Sequence, residues 1–118
     1  MIGEFLLICF HARTNAHVLH LQTRSYAAHK ALNEFYDEIV DLADAVAEAY
    51  QGKYGLIDTY PPRYTPVDDP VKLITELRSW IDDNRYECCN AEDTALHNMI
   101  DEIVALCDST LYKLRFLK

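Results

Sequence analysis

Turn formers are scarce in this 118-residue chain: it has 3 Gly and 4 Pro, and all but Gly3 lie between Gly52 and Pro70. So few turns in a chain that is 50% hydrophobic and 25% charged exclude a disordered polymer and point to a folded, mostly helical protein. Basic residues are also in short supply. A count of 11 Lys+Arg against 19 Asp+Glu leaves a formal charge of −8 with histidine taken as neutral, which excludes a protein built to neutralise nucleic-acid phosphates or an anionic membrane surface. Long apolar runs are missing too. The longest near the start is Phe5 to Phe10, far short of the ~20 residues that cross a bilayer, and it reads as part of a buried helix face. Cysteine is limited to Cys9, Cys88, Cys89 and Cys107; with no signal peptide ahead of them and no dense secreted framework, a reduced, cytoplasmic protein is expected. Vicinal Cys88 and Cys89 have no second Cys or His pair at finger spacing and read as structural. Phosphate-cradling glycine loops and nucleophile elbows are absent. So is Glu-x-x-His, the motif that a di-iron site within one subunit needs on two helices.

What is present reads as one domain over residues 1–118 with one core. The Gly52 to Pro70 segment is a long connection, Asn84 to Asn90 a shorter break, and Thr23 to Ser25 a tight one, with Ser25 a suitable N-cap. Four helices are predicted, about 2–22, 25–51, 70–85 and 90–116, with a crossover over 52–70. The second shows the clearest period: Tyr26, His29, Leu32, Tyr36, Ile39, Ala43, Val46 and Tyr50 recur at steps of three and four and form the expected inner stripe. The fourth repeats it with Leu96, Met99 or Ile100, Ile103, Leu106 or Cys107, Thr110 and Leu114. Two antiparallel hairpins joined by one long crossover make an all-α, ferritin-like four-helix bundle the expected fold.

Histidine departs from a plain bundle pattern. His11, His17, His20 and His29 fall in the first quarter of the chain. If the chain reverses near Thr23, His17 and His29 lie at similar distances from the turn on neighbouring helices and can face a common site. Asp44 and Glu48 stand one turn apart on one face of the second helix. His29 points only ~60° from Asp44 in projection but lies ~22 Å away along the axis, so one metal cannot join them within a chain. Two copies of the second helix packed antiparallel about a two-fold axis near Asp37 would bring His17 and His29 of one chain to Asp44 and Glu48 of the other. Such a mixed imidazole and carboxylate set suits Fe(II), and also Zn or Mn. His11 and His97 read as partly buried histidines without a ligand role. Asp93, Asp101 and Glu102 read as a solvated face or, in a shell, as a pore lining.

The order His17, His29, Asp44, Glu48, set in His-Lys-Ala-Leu-Asn-Glu-Phe-Tyr-Asp-Glu and Ala-Asp-Ala-Val-Ala-Glu, resembles the signature of the Dps-like mini-ferritins. The segment from Asn90 to the closing Tyr-Lys-Leu-Arg-Phe-Leu-Lys resembles the last helix of that family. The resemblance implies a hollow homo-oligomer, a dimer at minimum and typically a dodecamer. It also implies that the protein binds Fe(II), oxidises it at an inter-subunit ferroxidase centre and stores the ferric product. His17 and His29 would be ligands from one subunit and Asp44 and Glu48 from its partner, with His20, Asn33 and Asp37 around them. No catalytic residue beyond the ligands is implied, nor any nucleic-acid or membrane partner. The competing expectation is a non-catalytic ferritin-like helical module, of the kind bacteriophages encode, that binds a protein partner.

Overall fold

Helix starts and stops follow local chemistry. In the computed structural model, which describes residues 1–61 and 65–118, α1 spans Ile2–Gln22, α2 Tyr26–Tyr54, α3 Pro70–Cys88 and α4 Thr94–Phe116. Pro62, one of the crossover prolines, lies outside the described residues. The Ser25 hydroxyl accepts the Ala28 N–H at 3.2 Å and opens α2. The Asp69 carboxylate accepts the Lys72 N–H at 2.9 Å, with Pro70 in the first turn of α3, where its missing N–H costs nothing. α2 runs past the expected residue 51 to Tyr54 and stops at Gly55, whose φ of 97° is open to glycine. α3 continues through the expected break at Asn84, because the Asn84 amide donates to the Trp80 carbonyl one turn back at 2.9 Å and stays within the helix. α4 begins at Thr94, four residues later than expected, since the Asp93 N–H closes a turn onto the Asn90 carbonyl at 3.0 Å.

Among the described residues the chain is all-helical, with four helices and no strand, an arrangement compatible with a four-helix bundle. α1 packs on α2 and α3, and α4 packs on the same two. Contacts along each seam give the directions. Glu34 pairs with Lys113 at one end of α2 and Lys53 with Asp93 at the other, so α2 and α4 are antiparallel. Phe5 lies against Trp80 (6.4 Å between ring centroids) and the Met1 carbonyl accepts from the Cys88 thiol, so α1 and α3 are antiparallel too. With α1 taken as rising, α2 and α3 descend and α4 rises. The long dimension of the molecule, 44 Å, is the length of α2, 29 residues at ~1.5 Å each.

Each helix meets two others, so the buried faces are wide. Phe5, Leu6 and Cys9 of α1, Leu32, Phe35, Ile39, Ala43 and Val46 of α2, Ile74 and Ile81 of α3, and Ile100, Ile103 and Cys107 of α4 are almost fully buried. This corrects the expected stripe of α2: Tyr26 is 75% exposed, Tyr36 and Tyr50 are half-buried, and Phe35 takes the central place. On α4 the open choices resolve to Ile100 and Cys107, and Leu111 is buried while Leu114 sits at the edge. The crossover lies against α1 as well. The crossover passes Gly3, where an added Cβ would stand 1.9 Å from the Thr59 carbonyl oxygen. Higher up, the Asn15 amide donates to the Val67 carbonyl at 2.9 Å and accepts the Val67 N–H at 2.7 Å. No helix among the described residues is long and apolar enough to cross a membrane.

Candidate functional site

The short turn between α1 and α2 brings His17, His20 and His29 together as a ladder of rings. His20 and His29 stack at 3.6 Å between centroids with planes 20° apart. Each ring bonds the other's backbone: His20 Nδ1 lies 2.7 Å from the His29 carbonyl oxygen and His29 Nδ1 lies 2.9 Å from that of His20. A carbonyl only accepts, so both Nδ1 atoms carry a proton and donate, which leaves Nε2 as the ring nitrogen not engaged in these two bonds. His17, one turn back along α1, stacks on Tyr36 at 4.3 Å and meets the edge of His20 at 6.0 Å. The Arg13 guanidinium lies 5.4 Å from the Tyr36 ring centre. Tyr36 is aimed by a polar string: its hydroxyl donates to Asn33 Oδ1 at 2.8 Å, and the Asn33 amide donates to Asp37 Oδ2 at 2.9 Å.

His17, His20, His29, Asn33 and Asp37 thus share one end of the α1–α2 face. Asp44 and Glu48 do not join them. Both are exposed on the outer surface of α2, ~22 and ~28 Å along the axis from His29. Among the described residues no group of three or more His, Cys, Asp or Glu is placed to hold a metal ion within one chain.

The other polar candidates have structural partners. His97 is buried at the α3–α4 turn. Its Nε2–H donates to the Cys89 and Asn90 carbonyls at 3.2 and 3.1 Å, and its Nδ1 accepts from Arg85 Nε at 3.1 Å. Arg85 also reaches the His97 carbonyl and, at 2.7 Å, Asp101. Asp93 is buried under Lys53 and Tyr54, which both donate to its carboxylate. Their hydrogen bonds hold the Asp93 carboxyl below the usual range, and the bond to Asp93 raises Lys53 above its own. Burial pushes the thiols of Cys88 to about 12, Cys89 to about 11 and Cys107 to about 12, and Cys9 higher still, so all four remain protonated. His11 lines a recess of about 220 Å³ between α1 and α3 together with Asn15, Val67, Glu76 and Trp80.

Three residues that organise these contacts were not singled out by spacing: Asn15, Lys53 and Arg85. Asn15 left a readable sign, a lone amide at the apolar helix positions between Ala12 and Leu19. Lys53 and Arg85 look like any solvated base until the fold supplies their partners.

Comparison with known proteins gives a family without assigning an activity. A relative from Enterobacteria phage T4, described as an uncharacterized 14.6 kDa protein in the mobD-ri intergenic region, is 31% identical over 115 residues, covering 94% of this chain and 85% of the relative. No solved structure matches. A family model described as a family of unknown function, DUF5856, matches residues 20–114, a span that takes in His20, His29, Asn33, Asp37, Asp44 and Glu48 and leaves His17 outside. The chain belongs to that family of unknown function.

Proposed function

We propose that this protein is a ferritin-like, Dps-like metal-binding protein whose site closes only between two copies. One copy supplies His17 and His29 and the other Asp44 and Glu48. The substrate is Fe(II), oxidised to Fe(III) with its electrons passing to dioxygen or peroxide; Zn or Mn fits the same donor set. The observation that carries this reading is the state of His29. Its Nδ1 is spent on a backbone carbonyl, the arrangement that fixes a ligand imidazole and leaves Nε2 for the metal.

Two further features support it. The rise, descent, descent and rise of the four helices, with the long connection between the two descending ones, is the connectivity of ferritin-like folds. Away from the axis, where Asp37 meets the partner's Asp37, the outer stripe of α2 also offers complementary pairs. In an antiparallel pair of α2 helices, Lys30 stands opposite the partner's Asp44 and Asn33 opposite the partner's Asp41. His29 then lies within ~1.5 Å of the level of the partner's Asp44 and ~4.5 Å of the level of the partner's Glu48.

A second reading, a non-catalytic helical module that binds a protein partner, is favoured by the stacking of His20 on His29 and of His17 on Tyr36, both of which serve the fold without a metal. Solution mass and Fe(II) oxidation separate the two. A dimer or larger assembly that oxidises Fe(II), and loses that activity in the double variant His29→Ala with Glu48→Ala, is the expected outcome. A monomer indifferent to Fe(II) refutes the metal reading. Unchanged oxidation in the double variant refutes the residues.

A further inference from the structure

We infer that the groove between α2 and α4 docks a basic amphipathic helix of another protein, independently of any metal at the α1–α2 corner. The Glu34–Lys113 and Lys53–Asp93 pairs fix the antiparallel register of these helices, which puts Leu42 level with Ala105 and Glu38 level with Ser109. Along this seam an open groove of about 370 Å³ runs from Glu34 and Lys113 to Glu102. The eleven steps from Glu102 to Lys113 at ~1.5 Å make it ~16 Å long, three turns of a helix. Its floor is Leu42, Ala105 and Leu106, with the two leucines half-buried against the core. Ala105 and Ser109 are short, so the floor lies low between taller walls.

Those walls are acidic. Lys113 is held by Glu34, which leaves Glu38 on one wall and Glu102 on the other, both exposed and, among the described residues, without an ion-pair partner. A chain of formal charge −8 sets the same sign around them. An apolar floor flanked by two unpaired carboxylates is complementary to a helix with a leucine-type knob and a lysine or arginine about one turn to either side. A helix ~10 Å wide resting on ~16 Å of groove covers far less than a standard protein interface. The complex is therefore transient.

The test uses the full chain and three synthetic peptides of about 18 residues, a length that forms a short amphipathic helix. One carries leucines at i, i+3, i+4 and i+7 with flanking lysines, one has glutamates in place of the lysines, and one is a scramble of the first. Amide chemical-shift titration gives both the site and the affinity. The expected result is saturable binding of the first peptide alone, with shifts centred on Leu42, Ala105, Leu106 and Ser109. The joint variant Glu38→Lys with Glu102→Lys should weaken it about tenfold or more and favour the acidic peptide, and Ala105→Arg should block the floor. Both alter exposed positions, and circular dichroism checks that they fold. Equal binding of the scramble means charge alone acts and overturns the proposal. Shifts on another face, equal binding of the acidic peptide, or no shifts up to about 1 mM overturn it as well.

Discussion

Replacing Asn15 by alanine tests how the crossover is held. The Asn15 side chain is 4% exposed and makes both of its bonds to one peptide unit, donating to the Val67 carbonyl and accepting the Val67 N–H. Asn15→Ala removes two hydrogen bonds with a net worth of ~1 kcal/mol each, and it strands a backbone donor and an acceptor on a half-buried residue. Partial access of water to Val67 limits that second cost, so the total is about 2–4 kcal/mol. For a domain of this size a kcal/mol at the midpoint moves Tm by about 4 °C, which predicts a fall of about 8–16 °C. Thermal and urea unfolding measure it, and hydrogen exchange at the Val67 amide locates it, with protection lost there before it is lost in α2. Asn15→Asp keeps the shape but turns the donor into an acceptor facing the Val67 carbonyl, so it should cost at least as much at neutral pH. A loss below about 0.5 kcal/mol, or unchanged protection at Val67, would refute the clamp.

Four further outcomes are expected. Gly3→Ala sets a methyl against the Thr59 carbonyl and should destabilise by about 1–3 kcal/mol. Gly52→Ala, inside α2 with nothing within 4 Å of the new carbon, should stabilise by about 0.5–1 kcal/mol; the same sign for both in thermal melts contradicts the packing described. The Asp93 carboxyl titrates below its ordinary value of 3.8, so its pairing with Lys53 and Tyr54 stabilises fully above that value and is lost as pH falls through the lower folded one. Urea midpoints of the wild type and Asp93→Asn should differ by a constant amount from pH 5 to pH 7 and converge in acid, and a gap that widens in acid would contradict the assignment. At pH 8, below the raised values of Cys88, Cys89 and Cys107, the native thiols should react with a chromogenic disulfide only as fast as the protein opens. Prompt stoichiometric labelling would show at least one to be an accessible thiolate.

Helix number and the α1–α2 turn were legible because their signals are local: a period of three to four, a Ser25 cap and one proline-rich stretch. The precise face of α2 was not. Tyr26 and Phe35 lie ~180° apart around the helix, at the two margins of the expected stripe, and packing buries the Phe35 side and leaves Tyr26 exposed. Asn84 looked like a breaker because asparagine favours turns, yet a bond to Trp80 satisfied it within the helix. At the corner, spacing brought His17 and His29 to one end but gave no hint that His20 would reciprocate the backbone bond of His29. That bond depends on the approach of two main chains, which no side-chain pattern records. Asp93 looked like a solvated acid because its partners Lys53 and Tyr54 lie about 40 residues away in sequence.

The Asn15 clamp also bears on the order in which the molecule folds. The seams α1–α2 and α3–α4 join neighbours in sequence across turns of a few residues, so each hairpin closes a small loop and can form early. The Asn15–Val67 bonds span 52 residues and the Met1–Cys88 contact spans 87, so the entropy of closing a long loop is met when one hairpin docks on the other. Removing the amide should therefore accelerate unfolding and leave the refolding rate nearly unchanged, the behaviour of a contact made after the transition state.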